Sequence, residues 1–151
     1  MILILVSTGH FDPLIQACDR LSSRYEFYGQ IGMSYTVPSF PHIRTAPPQE
    51  IEKLIRSSEL VISHGGTGML SQLYAMKKRT VVVPKQIRYG EANDSQVELA
   101  VKWCELGMGV LCLDVDHLEA AIETCRKTDL VFPEFPKLGD YFNIEGKSTY
   151  A

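Results

Sequence analysis

Strand-like and helix-like patterns alternate from the first residue, and this alternation constrains the fold more than any other feature of the chain. Ile2-Leu3-Ile4-Leu5-Val6 is apolar at every position, as a strand covered on both faces of a parallel sheet requires. After a loop from Ser7 to Pro13, Leu14, Ile15, Cys18 and Leu21 mark one face of an amphipathic helix. The pattern predicts strands over 26–31 and 42–45, with Pro38 to Pro41 in the loop between them. Pro47-Pro48 opens a helix carrying Ile51, Leu54 and Ile55. The next unit is a buried strand at 60–63, the turn His64-Gly65-Gly66-Thr67-Gly68, a helix with Leu70, Leu73 and Tyr74 inward, and a strand over 80–83 closed by Pro84. A polar loop from Lys85 to Asn93, a helix with Val97, Ala100, Val101 and Cys104 inward, a strand over 110–113 and a helix with Leu118, Ala121, Ile122 and Cys125 inward complete the series. Such a series makes an α/β domain, a parallel sheet with helices on both faces, whose ligands bind beyond the carboxyl ends of the strands.

A chain of 151 residues has room for one such domain. Its 15 basic against 18 acidic residues, net charge -3, provide no overall field for a polyphosphate, so nucleic acid is not an expected partner. Cys18, Cys104, Cys112 and Cys125 show no Cys-x-x-Cys or paired Cys/His spacing, which favours reduced thiols in the cytoplasm over zinc or disulfides. The apolar opening lacks a preceding basic region and meets Ser7 and Thr8 too soon for a signal peptide, and nothing later reads as a membrane span. Residues 129–151 break the alternation yet hold five of the 14 aromatics: Phe132, Phe135, Tyr141, Phe142 and Tyr150. Two readings stay open there, a tail folded onto its own domain and a segment that docks another protein.

Two segments carry the chemistry. The glycine turn from His64 to Gly68 aims backbone amides and a helix N-terminus at one point, which favours phosphate, although a tight strand-to-helix turn needs glycine for steric reasons too. Ser71 stands where a third glycine of GxGxxG belongs, and no Gly-Lys-Ser/Thr follows, so dinucleotide and P-loop sites are excluded. Tyr89 to Gln96 offers carboxylates and amides suited to sugar hydroxyls, and the same residues read as helix capping, with Asn93 or Asp94 as cap and Ser95 and Glu98 as a capping box. Asp114-Val115-Asp116 looks like a metal-binding DxD, but a strand-to-helix junction makes Asp116 an N-cap and Asp114 a turn residue.

VISHGGTG (61–68), VVVP (81–84), YGE (89–91) and Asp94-x-Gln96, in that order and together with Thr8-Gly9-His10, resemble the donor-binding C-terminal domain of family 28 glycosyltransferases, above all its small split subunits. The resemblance covers about three quarters of the chain and leaves out the tail. It implies that residues 1–128 are a Rossmann-like UDP-sugar-binding domain equivalent to the C-terminal half of a GT-B fold, with 129–151 as a separate aromatic-rich tail. A membrane-anchored partner subunit then supplies the acceptor-binding half and the lipid-linked saccharide acceptor, and holds this chain at the cytoplasmic face. The transfer is inverting, and the UDP-hexose is a co-substrate with no cofactor and no metal. By the same resemblance Thr8 and Gly9 lie near the diphosphate, and His64, Gly65, Gly66, Thr67 and Gly68 cradle it. Gln72 stands where the family places a ribose-binding Glu, and Glu91, Asp94 and Gln96 face the sugar, with Ser95 where relatives often have His. His10 is the candidate general base, while His42 and His117 are structural. Gly66→Val is expected to block UDP by filling the space the phosphate approaches. A non-catalytic regulatory or scaffolding subunit that lost donor binding is the alternative, and the oligomeric state of the isolated chain stays open, a homo-oligomer through an unpaired docking face being one option.

Overall fold

The structure, a computed structural model, describes residues 1–133. Six strands form one sheet in the order β3-β2-β1-β4-β5-β6: β1 Ile2–Leu5, β2 Phe27–Gln30, β3 His42–Ile43, β4 Leu60–Ser63, β5 Thr80–Val82 and β6 Val110–Leu111. Every pairing is parallel. Five α-helices cross between or follow the strands: α1 Asp12–Arg20, α2 Pro48–Ser57, α3 Thr67–Ala75, α4 Ser95–Glu105 and α5 Leu118–Lys127. The chain starts in the middle of the sheet, runs outward to β3 and returns to β4 on the other side of β1. The strand order therefore reverses between β1 and β4, and the loops leaving those two strands flank the crevice where α/β sheets bind ligands.

Strand register sorts the core into two faces. Ile2 pairs with Leu60, and Ile4 with Ile62, which in turn pairs with Val81. These side chains pack against Phe11, Leu14, Ile15 and Cys18 at α1 and Leu118, Ala121 and Ile122 of α5. Leu3, Leu5 and Val61 point the other way, onto Ile51, Leu54 and Ile55 of α2 and Leu73 of α3. Val82, on that same face, meets Leu70 of α3, Ala100 and Trp103 of α4, and Met108. All four residues of β1 and of β4 are buried. Their uninterrupted apolar runs are explained by a sheet covered on both sides.

The structure departs from the periodicity at several places. Pro13 lies in the first turn of α1, where a missing N–H costs nothing, so the preceding loop is shorter than its proline implied. The buried face of α4 is centred on Ala100 and Trp103, with Leu99 and Cys104 beside them, and Val97 and Val101 stay half-buried. Seating the indole against Leu70 and Met108 removes more apolar surface than either valine offers. β6 stops at Leu111 because Cys112 to Asp114 turn into a short 3-10 segment, Val115–His117. There Asp114 is the cap, its carboxylate accepting from the Asp116 amide at 2.9 Å, while Asp116 sits within the turn and faces Arg20 at 3.6 Å. The first residues of the tail fold back on the domain: Val131 N donates to Gly107 O at 2.8 Å, and Phe132 packs on Tyr74 with ring centroids 6.5 Å apart. Phe135, Tyr141, Phe142 and Tyr150 lie outside the described residues.

Candidate functional site at the carboxyl edge of the sheet

Thr8, Gly9 and His10 ride on the loop after β1, which is anchored from behind. Ser7 adopts a left-handed backbone, φ 60°. Gln30, buried in β2, clamps that residue on both sides: its Oε1 accepts from Ser7 N at 2.8 Å, and its Nε2 donates to Ser7 O at 2.7 Å and to Arg44 O at 2.6 Å. Gly32, φ 56°, passes so close beneath the loop that a Cβ there would stand 2.3 Å from Gly9 O and 2.6 Å from Ser7 O. Met33 N donates to Gly9 O at 2.8 Å and Phe11 N to Ser34 Oγ at 3.0 Å. His10 itself is half-exposed, with Nδ1 3.8 Å from Asp12 Oδ2. Burial pushes the Asp12 carboxyl up, but hydrogen bonds from Thr36 and Tyr35 overcome it and hold the group below its ordinary value, so it is ionised beside His10.

The turn after β4 ends in α3, whose cap residue, Gly66, provides no side-chain hydrogen bond, so the first-turn amides of Thr67 and Gly68 are left open. His64 is buried, 8% exposed, and its ring lies directly over Gly66: a Cβ on that glycine would sit 2.3 Å from His64 Cε1. Gly66 N–H donates to His64 Nδ1 at 3.1 Å. An amide can only donate, and burial followed by the charge of Lys85 lowers the imidazole's pKa. The ring is therefore neutral with its proton on Nε2, and the 3.4 Å approach of Nδ1 to Gln96 Oε1 is a contact between acceptors. Nε2 is buried without a partner among the described residues. Gly65 is boxed in by Pro84 and Gln96, whereas an added Cβ on Gly68 would meet nothing within 4 Å. Gly68, then, is the glycine that faces open space, and the steric expectation for Gly66→Val is corrected: its side chain would strike the His64 ring.

The segment after β5 closes the site from the third side. Gln96 Oε1 accepts from Lys85 N at 3.2 Å, which ties the start of α4 to the end of β5. Asp94 Oδ1 accepts from Ile87 N at 2.7 Å and Asn93 Oδ1 from Ser95 N at 2.9 Å, so the expected capping box does not form; an Asx turn and a loop staple replace it. Glu91 is half-buried and close enough for its charge to act on His64. Gln72 lies half-buried on the second turn of α3, with no side-chain partner among the described residues. Tyr89 is drawn into the core, 5.6 Å from the Phe11 ring, and its hydroxyl accepts from Val115 N.

One residue escaped the reading of the sequence. Lys85 opens the loop after Val83-Pro84, yet it is only 8% exposed, and its Nζ would stand 2.7 Å from a Cβ on Gly9. A lone lysine in a polar loop carries no signal of burial. A cleft of about 130 Å³ opens between Thr8 and Gln30 on one side and Thr45, Ile51 of α2 and Met69 of α3 on the other.

The model of the glycosyltransferase family 28 C-terminal domain matches residues 27–137. The chain belongs to this family. Its fold is shared by solved structures, two of them aligned over most of this chain. A. baumannii MurG aligns with a TM-score of 0.61 at 16% identity, over 82% of this chain and 40% of that one. The glycotransferase of kitacinnamycin aligns with a TM-score of 0.58 at 19% identity, over 94% of this chain and 37% of that one. This family 28 domain thus spans well under half the length of either structural neighbour. No curated protein matches it.

Proposed function

We infer that this glycosyltransferase-family chain is the donor-binding half of a UDP-sugar-dependent hexosyltransferase. The observation that carries the reading is the convergence, where the strand order reverses, of the uncapped N-terminus of α3 with the glycine-bearing loop after β1. An uncapped helix end with its amides open is suited to a diphosphate. Thr8, Gly9 and the turn His64 to Gly68 hold that group, Gln72 the ribose, and Glu91, Asp94 and Gln96 the hexose. Asp94 and Gln96 already brace Ile87 and Lys85, so they meet the sugar with orientations set in advance.

In the transfer, the acceptor hydroxyl attacks the anomeric carbon as His10 takes its proton. The bond from that carbon to the phosphate oxygen breaks, and its electron pair leaves on UDP. Attack from the face opposite the leaving group inverts the anomeric centre. Asp12, ionised, stands 3.8 Å from the His10 imidazole. The site relies on backbone amides and needs no metal. Asp114 and Asp116, the one DxD pattern, are spent on a cap and on Arg20.

The second half of the enzyme is a separate, membrane-associated chain that brings a lipid-linked saccharide. Among the described residues no helix is long and apolar enough to cross a membrane. Met33, Tyr35 and Val37 are 66%, 86% and 65% exposed, and Tyr35 lies beside His10, its ring 6.2 Å away. An apolar rim next to a half-exposed base is where an acceptor-bearing partner fits.

Titration of UDP into the isotope-labelled chain tests the reading. Saturable amide shifts at Thr8, Gly9 and Gly65 to Gly68, larger changes with UDP-hexose at Gln96, and tighter UDP in Gln72→Glu are expected. No shift at millimolar UDP would leave the scaffolding alternative, which the amide at Gln72 in place of a carboxylate favours.

A further inference from the structure

Lys85 is a charged side chain with 8% of its surface exposed, and among the described residues no carboxylate or other acceptor pairs with its ammonium. The side chain is packed away along its stem, while Nζ is not one of the polar atoms sealed from solvent, so the ammonium stays open to an incoming anion. The ammonium stands against Gly9, on the loop that leaves the central strand, where an added Cβ would lie 2.7 Å from Nζ. Its charge acts on His64, whose Nε2–H is the one buried side-chain polar atom without a partner among the described residues. Glu91 is the carboxylate whose charge also reaches His64, and its influence is the weakest of those acting on the ring. Beside the same histidine opens the uncapped end of α3. A full positive charge, a buried N–H donor and a row of free amides thus meet with no anion of the chain to satisfy them.

We propose that Lys85 is the resident cation of an anion subsite, where its ammonium and His64 Nε2–H bind the diphosphate of the donor. This inference rests on the UDP-sugar reading for the nature of the ligand, but the demand for an anion comes from the unpaired donors themselves. The strand after the glycine turn thereby contributes a group to the site. Lys85 holds it in place because its own amide is fixed to Gln96 and its aliphatic stem is buried.

The test compares UDP, inorganic pyrophosphate and uridine as probes of the full chain and of its Lys85→Met and Lys85→Arg variants, following amide shifts at Gly9, His64 and Gly66. Lys85→Met is expected to weaken UDP and pyrophosphate by roughly 10- to 100-fold, the range for hydrogen bonds to charged groups, and to leave uridine unchanged. Its affinity for UDP should also depend less on salt, and Lys85→Arg should recover part of the loss. In the unaltered protein the Lys85 Nζ resonance should move on addition of pyrophosphate, a readout independent of how the variants fold. A stationary Nζ signal, or equal binding of UDP by Lys85→Met, would overturn the role of Lys85 and leave the donor reading intact. Pyrophosphate binding that depends on Lys85, with no preference for UDP, would uphold the anion subsite and overturn the donor reading. Binding of neither would overturn both.

Discussion

The two glycines at the start of α3 do different work. Gly66 lies under the His64 ring, and any side chain there must push the imidazole off its hydrogen bond with the Gly66 amide. Gly68 is inside the helix with open space above it. Gly68→Ala should therefore raise stability by up to about 1 kcal/mol through helix propensity, and should weaken UDP if the phosphate rests on that turn. Gly66→Ala should lower stability by displacing His64. Thermal melts with and without UDP separate the two effects.

His64 also confers a pH dependence with a definite sign. Burial and the neighbouring Lys85 lower its folded pKa beneath the ordinary 6.5, so between those two values the unfolded chain binds more protons than the folded one. The contribution is complete above pH 6.5 and is lost as pH falls toward the folded pKa. Urea unfolding just below pH 6.5 should show this loss in the unaltered protein and a smaller one in His64→Asn.

Among the elements, α4 decides more than its polar sequence implies. It buries Trp103 and Ala100 against Leu70, Val82 and Met108, and its first turn holds Gln96, which fixes Lys85 N. Trp103→Ala should cost about 3–5 kcal/mol, as large-to-small changes of aromatic core residues do. Loss of donor affinity should accompany it, because the helix that loosens also carries Asp94 and Gln96 at its start. Denaturant midpoints and the UDP titration, run on the same variant, read both. The loop after β1 depends in the same way on β2: Gln30 clamps Ser7, and Gly32 lets the chain pass close beneath Gly9.

At the scale of the molecule, Met33, Tyr35 and Val37 are the most exposed large apolar side chains among the described residues. Without a partner the face they form should pair with itself at high concentration. Sedimentation velocity should show a concentration-dependent dimer that disappears when Met33, Tyr35 and Val37 are all replaced by Ser, with the melting temperature unchanged. A dimer that survives the triple replacement would locate self-association elsewhere.

The sequence by itself determined the parallel α/β sheet, since continuous apolar strands such as Ile2 to Leu5 alternating with amphipathic helices leave no other layer arrangement. It also pointed to the loops after β1 and β4 as a candidate site, because glycine turns between strand and helix are visible in a linear string. Tertiary structure alone decided the rest. The rotation of α4 onto Trp103 was set by the volume between α3 and β6, which periodicity does not encode. The caps at Asn93, Asp94 and Asp114 depended on which amides the folded loops left open. The burial of Lys85 beside Gly9 and His64 joins three loops far apart in sequence, and a charge is recognised as unpaired only when everything around it is in place.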